Sequence, residues 1–154
     1  MGDLPQAALT VAVGVAVFVA GQLLLKLIIE PIQDFRRVRG RIAHAFAYYA
    51  DRIASADSNE MTPEQRREAA DAFRVLASDL AAAETMIPVR RLAEEFGLLG
   101  PLNADVNVRA ELIGVSNFVR VGDADRATAS AEKVEHALRL PRVFGRKHPA
   151  PTDT

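Results

Sequence analysis

"LLLKLIIEPIQDFRRVRGR" (Leu23–Arg41) passes from unbroken hydrocarbon to a run of arginines within nineteen residues. Its first part closes a longer apolar segment. From Ala7 to Ile29, twenty-three residues contain two strongly polar side chains, Gln22 and Lys26. A helix rises about 1.5 Å per residue, so roughly 20 apolar residues cross a hydrocarbon core. This segment is long enough to span with some tilt. Lys26 lies near the end, where its ammonium extends toward headgroups, and Glu30 follows at i+4 as a pairing partner. A cleaved signal peptide is the rival reading. It needs a basic segment before a shorter apolar core, and small residues at −3 and −1 of the cut. The residues before the span offer Asp3 alone as a charge, and a cut after Ala20 would place Phe18 at −3. An uncleaved anchor is expected.

Arg36, Arg37, Arg39 and Arg41 follow the apolar run, and no Lys or Arg precedes it. Basic residues stay inside, so the amino terminus is expected outside and the rest of the chain in the cytoplasm. Within the span Ala8, Ala12, Ala16 and Ala20 form a small-residue ridge at i+4. Such ridges let two helices approach closely, which allows a homo-oligomer through the span. The plainer reading is that Ala and Gly are common filler in bilayer helices.

The remaining chain reads as helix. It has no cysteine or tryptophan, and acids and bases nearly cancel to a net charge of −1. That balance supplies no field for nucleic acid, and the missing thiols exclude disulfides, thiolate metal sites and cysteine nucleophiles. Pro31 lacks an amide hydrogen and disfavours helix at Glu30, which predicts a kink or restart there. After it Phe35, Val38, Ile42, Phe46, Tyr49 and Ile53 recur at steps of three and four, one apolar stripe on a helix to about Ala56. Thr62-Pro63-Glu64-Gln65 reads as a helix start with a capping box, and Ala70, Phe73, Ala77 and Leu80 carry that helix inward to about Thr85. Pro88 opens a short helix, "VRRLAEEFGLL" (Val89–Leu99), that Gly100-Pro101 ends. Asn103 or Asp105 is expected to cap the next, to about Val121. Gly122-Asp123 turns the chain, and Ala127, Ala131, Val134 and Leu138 line a last helix stopped by Pro141.

The expected fold is all-α: one amino-terminal transmembrane helix, then a small antiparallel bundle of four to five helices. The expected division is a tail over 1–6, the span over 7–30, the bundle over 31–140, and a flexible basic, proline-containing tail over 141–154. Two blocks, "FVAGQLLLKLIIEPIQDFRRVRGRIAHAFAYYA" (Phe18–Ala50) and "ELIGVSNFV" (Glu111–Val119), resemble a scattered set of small single-span membrane-anchored bacterial proteins with no assigned function. The resemblance covers somewhat under half of the chain. It implies a bacterial inner-membrane protein and brings no catalytic residue with it.

Signals for chemistry are sparse. His44, His136 and His148 lack metal-like neighbours. Glu132 and His136 share a face at i+4, but a zinc site needs three or four ligands. No phosphate-cradling glycine loop or nucleophile elbow appears, and Glu94-Glu95 point apart on a helix. No catalytic residue, cofactor or metal is expected. Opposite the apolar stripe of the second helix, Arg37, Arg41, His44, Tyr48 and Arg52 form a row beside Arg36. It suits anionic headgroups, or a phosphorylated ligand, or an acidic partner; equally it is a solvated face. A second basic cluster is Arg139, Arg142, Arg146 and Lys147, with Phe144 inside it.

On the helix expected from Ala104 to Val121, Val106, Ala110 and Ile113 make one stripe, with Asn117 on the same line. Val108, Leu112, Val115 and Val119 make another. Two apolar sides predict that Asn117 is buried in a seam, with Ser116 beside it, satisfied within the bundle or by a partner. The leading functional expectation is a membrane-tethered interaction or regulatory module with an unknown protein partner. The alternative is a sensor or effector that binds an anionic ligand or headgroup through the arginine row. A membrane-bound enzyme ranks third, because no reaction site assembles.

Overall fold

The computed structural model describes residues 3–58, 61–86 and 106–144. Every element in them is helical: α1 (Asp3–Leu24), a π-helical turn (Leu25–Ile29), α2 (Glu30–Tyr48), α3 (Ala50–Ala54), α4 (Pro63–Thr85), α5 (Val108–Val121) and α6 (Ala124–Leu138). One long apolar helix precedes an all-α bundle, as the periodicity predicts. The short helix expected over Val89–Leu99 and its Gly100-Pro101 stop lie outside the described residues.

α1, the π-helical turn and α2 run without a break. Every residue from 8 to 30 is exposed. Val17 and Phe18 are 67% and 66% exposed, so the bundle covers nothing of this segment. Among the described residues this is the one helix long and apolar enough to cross a membrane. Pro31 neither breaks it nor restarts it. The proline ring crowds the carbonyl four residues back and offers no N–H. The helix answers by widening: Glu30 N–H donates to the Leu25 carbonyl, five residues back, and Pro31 falls in the first turn of α2. Such single π-helical turns absorb a local mismatch without a break in the ladder.

The core begins three residues after the apolar segment ends. Ile32, Phe35, Val38, Ile42 and Phe46 are buried along one side of α2, while the opposite side is solvated. That stripe is the predicted one, with two differences. The helix bends at Tyr49 (φ −100°, ψ 11°), which makes α3 a separate short helix that still buries Ile53. Tyr49 itself is half-buried.

α4 starts as expected. Gln65 N–H donates to Thr62 Oγ1 at 3.3 Å, and Thr62 N–H donates to Gln65 Oε1 at 2.9 Å, behind Pro63 in the first turn. These satisfy two of the amides a helix start leaves unbonded. α5 begins later than the sequence suggests. Its N-cap is Asn107, whose Oδ1 accepts from Ala110 N–H at 3.1 Å, so neither Asn103 nor Asp105 caps it. Asp123 caps α6 in the same way. Between them Gly122 takes φ 79°, and a Cβ there would meet the Ala56 carbonyl at 3.0 Å. Both the left-handed backbone and the close approach require glycine.

Ion pairs set the directions of neighbouring helices. From Arg41 on α2 to Arg52 on α3, the partner on α4 moves back from Asp79 to Glu68. Glu84 pairs with Arg109 and Asp71 with Arg120 between α4 and α5, and Glu111 pairs with Lys133 between α5 and α6. All three interfaces are antiparallel. The end of α4, the start of α5 and the end of α6 therefore gather at the end of the bundle nearest Ile29. The far end holds the turn at Gly122 and the loop after α3, where Arg66 donates to the Ser58 carbonyl at 2.9 Å. Phe73 on α4 packs on Phe46 at 5.4 Å between ring centroids and anchors the centre.

The core extends past Pro141. Arg139 closes α6 in the left-handed region (φ 50°), and Leu140 N–H donates to the Glu135 carbonyl at 2.9 Å. The chain then folds back along α2. Buried Glu135 accepts from the amides of Val143 and Phe144 at 2.8 and 3.3 Å, and Phe144 meets Phe46 edge-on at 5.8 Å. A carboxylate holding two amides and an aromatic ring filling the core keep residues 141–144 against the bundle, where the sequence suggests a tail. Residues 145–154 lie outside the described residues.

Candidate functional site

The solvated side of α2 carries the residues that the sequence singles out, and the fold surrounds them with acids. Arg37 Nη1 lies 2.7 Å from Asp34 on its own helix. Arg41 Nη1 lies 2.7 Å from Asp79, and Arg52 Nη1 2.8 Å from Glu68, both on α4. His44 and Tyr48 stack with ring centroids 6.1 Å apart. The predicted row therefore exists as a geometrical line, but three of its cations hold carboxylates of the same chain. Each pair is exposed and of small net worth, about 0–1 kcal/mol. Together they lower the positive potential of this face.

Arg37, Gly40, Arg41 and His44 form one wall of a groove of about 500 Å³, and Ala72, Val75 and Leu76 of α4 form the other. The α4 wall of the groove is small and apolar, with Val75 53% exposed, and Tyr48, 63% exposed, stacks on His44 beside it. Beyond the groove Tyr49 leans on the Arg52–Glu68 pair. Its hydroxyl faces Glu68 Oε1 at 3.4 Å, and Arg52 lies over its ring at 5.3 Å. Burial first, then the Glu68 charge and hydrogen bond, raise the Tyr49 pKa against the opposing pull of Arg52.

A second groove, of about 450 Å³, runs along the other flank of α2. Arg36, Arg39, Gly40 and Ala43 face Leu140 and Pro141 across it. Arg39 Nη2 donates to the Arg139 carbonyl at 2.9 Å, a bond between residues one hundred apart in sequence. Arg36 and Arg39 thus lie across a groove from the segment that carries Arg139 and Arg142, which the sequence presents as an unrelated cluster.

The α5 expectation is reversed. Asn117 is exposed and accepts from Arg74 Nη2 at 2.8 Å, while Ile113 is 43% exposed and Ala110 faces solvent. One apolar side, Val108, Leu112, Val115 and Val119, is buried, and Ser116 is buried with it. The Ser116 hydroxyl has no hydrogen-bond partner among the described residues. The buried polar group of this pair is the serine. The same turn of α5 is tight: a Cβ on Gly114 would lie 3.2 Å from Ser130 Oγ.

Among the described residues no group of three or more His, Cys, Asp or Glu stands close enough to hold a metal ion. Glu132 and His136 are both exposed on α6. His148, Glu94 and Glu95 lie outside the described residues, as do Arg146 and Lys147. Ala8, Ala12, Ala16 and Ala20 are exposed, and no other described residue buries them. Compared with protein-family models, curated proteins and solved structures, the chain finds no match in any of the three.

Proposed function

We infer that this protein is a membrane-tethered helical module that presents a bundle to a partner at the cytoplasmic face of a bacterial inner membrane. The observation that carries the reading is the continuous helix. An apolar segment exposed at every position passes without a linker into the side of α2 that forms the core. A helix apolar on all sides belongs in a large core or a bilayer, and this bundle offers it no core. With Ile29 at the end of the hydrocarbon and Ile32 already packed, the bundle is held at a fixed distance from the membrane. Arginines on one side alone of the segment support a cytoplasmic bundle.

Two measurements test it. A reporter active only in the cytoplasm, fused after Thr154, should be active; periplasmic phosphatase activity from the same fusion would sink the orientation. A photo-crosslinking residue at Val75 or Tyr48, in native membranes, should give a discrete adduct with a second polypeptide, and one at Asp125 should not. Lipid adducts alone, or none, would reject the interaction reading. The alternative, an anionic ligand on the Arg37, Arg41, His44, Tyr48 and Arg52 row, has less support, because Asp34, Asp79 and Glu68 already occupy its arginines.

A further inference from the structure

Beside the paired row lies a basic surface of a different kind. Arg39, Arg139 and Arg142 make no ion pair with any carboxylate among the described residues. Arg39 lines the groove with Arg36, Gly40, Ala43, Leu140 and Pro141, and Arg139 and Arg142 flank the last two of these in sequence. The Arg39 guanidinium is anchored at one nitrogen by the Arg139 carbonyl, 2.9 Å away. A guanidinium carries five donors in a rigid fork, so four remain for an anion. The groove floor, Gly40 and Ala43, is small, and a Cβ on Gly40 would meet nothing within 4 Å.

Position decides what the anion is. Taking Ile29 as the end of the hydrocarbon, Arg36 stands about 10 Å and Arg39 about 15 Å further along the helix axis. The headgroup layer is about 5–7 Å deep on each side, and the surface field reaches a Debye length of about 8 Å beyond it. Arg36 falls inside that range and Arg39 at its outer limit, and the antiparallel path of α6 brings the Arg139 backbone to the level of Arg39. We propose that Arg39, with Arg139 and Arg142 beside it, forms a site for the phosphate of an anionic phospholipid headgroup, seated in the groove between α2 and residues 139–142. The site rests on the reading of Ala8–Ile29 as a membrane span. It fixes the rotation of the bundle about that span, with the α2–α6 flank toward the lipid and the α2–α4 groove turned aside.

The test is titration of the full chain, in neutral detergent, with dihexanoyl phosphatidylglycerol, read by native mass spectrometry. Each basic group near an anionic surface contributes a factor of about five to binding. Arg39→Gln with Arg142→Gln should therefore weaken binding about thirtyfold. Arg142→Gln alone, on an exposed residue that leaves folding intact, should weaken it about fivefold. Arg37→Gln with Arg41→Gln should leave it unchanged. Equal losses from that second pair, or no loss from Arg142→Gln, would overturn the site. Phosphatidylcholine bound as tightly would overturn its preference for anions, and glycerol phosphate bound as tightly would make the ligand a soluble phosphate and not a lipid. Alkaline carbonate extraction reads the span separately. Release of the chain from membranes would defeat the span reading, whereas the titration tests the arginines.

Discussion

Residues 8–29 and 32–48 lie on one continuous helix, yet the first set is exposed throughout while the second buries Ile32, Phe35, Val38, Ile42 and Phe46. The first is the more apolar of the two. Hydrophobicity alone therefore does not place a helix in this bundle; a one-sided pattern does. α2 offers a single stripe that α4 and residues 140–144 cover, and the arginines Arg37 and Arg41 on its polar side pair with Asp34 and Asp79. The apolar segment has no polar side to turn outward, so no surface of the bundle could cover it and leave a solvated remainder. Each half of the helix suits a different solvent, and the widened turn at Leu25–Ile29 joins them.

The contrast predicts separable damage. Phe73→Ala removes the ring packed on Phe46 and Tyr49 at the centre of the bundle. It should lower unfolding stability by about 3–5 kcal/mol in detergent while membrane integration persists. Loss of integration together with the bundle would show that the halves are not independent. Phe18→Arg places a charge near the middle of the apolar segment. Insertion should become less favourable by about 2.5–3.5 kcal/mol, with the melting of the bundle unmoved. An unchanged membrane fraction would count against the span.

Within α5 the prediction is one of sign. Ser116→Ala removes a buried hydroxyl that has no partner among the described residues and should raise stability by about 1 kcal/mol, because the desolvation cost of the hydroxyl disappears. Asn117→Ala loses a surface bond to Arg74 and should stay within about 0.5 kcal/mol of the wild type. Chemical denaturation of both variants decides it; a large loss from Asn117→Ala would return the amide to a seam.

The smallest effect lies at high pH. Tyr49 keeps its proton longer in the folded state than in the unfolded one, first through burial and then through Glu68. The folded pKa is raised, so the stability linked to the neutral phenol is whole below the unfolded value of about 10 and is lost as pH rises through the folded one. Tyr49→Phe lacks this slope. The stability difference between the wild type and Tyr49→Phe should therefore shift against the wild type above pH of about 10, as seen in paired denaturation curves.

The sequence by itself determined the apolar helix, the buried stripes of α2, α4 and α6, the capping box at Thr62–Gln65 and the turn at Gly122. Each is written in residues three or four apart, where helix geometry alone decides who is a neighbour. It left open what lies beside each stripe. The pairing of Arg41 with Asp79, 38 residues away, and of Asn117 with Arg74, 43 away, follows from the rotation of each helix about its axis. The same rotation buries Ser116 in place of Asn117, a choice between adjacent residues about 100° apart around α5. Two apolar lines on one helix look alike in sequence until packing covers one of them. Residues 140–144 enter the core because buried Glu135 meets their amides, and Arg39 reaches Arg139 because α6 runs antiparallel to its neighbour. Contacts of that range depend on how the helices are docked, which a one-dimensional period does not carry.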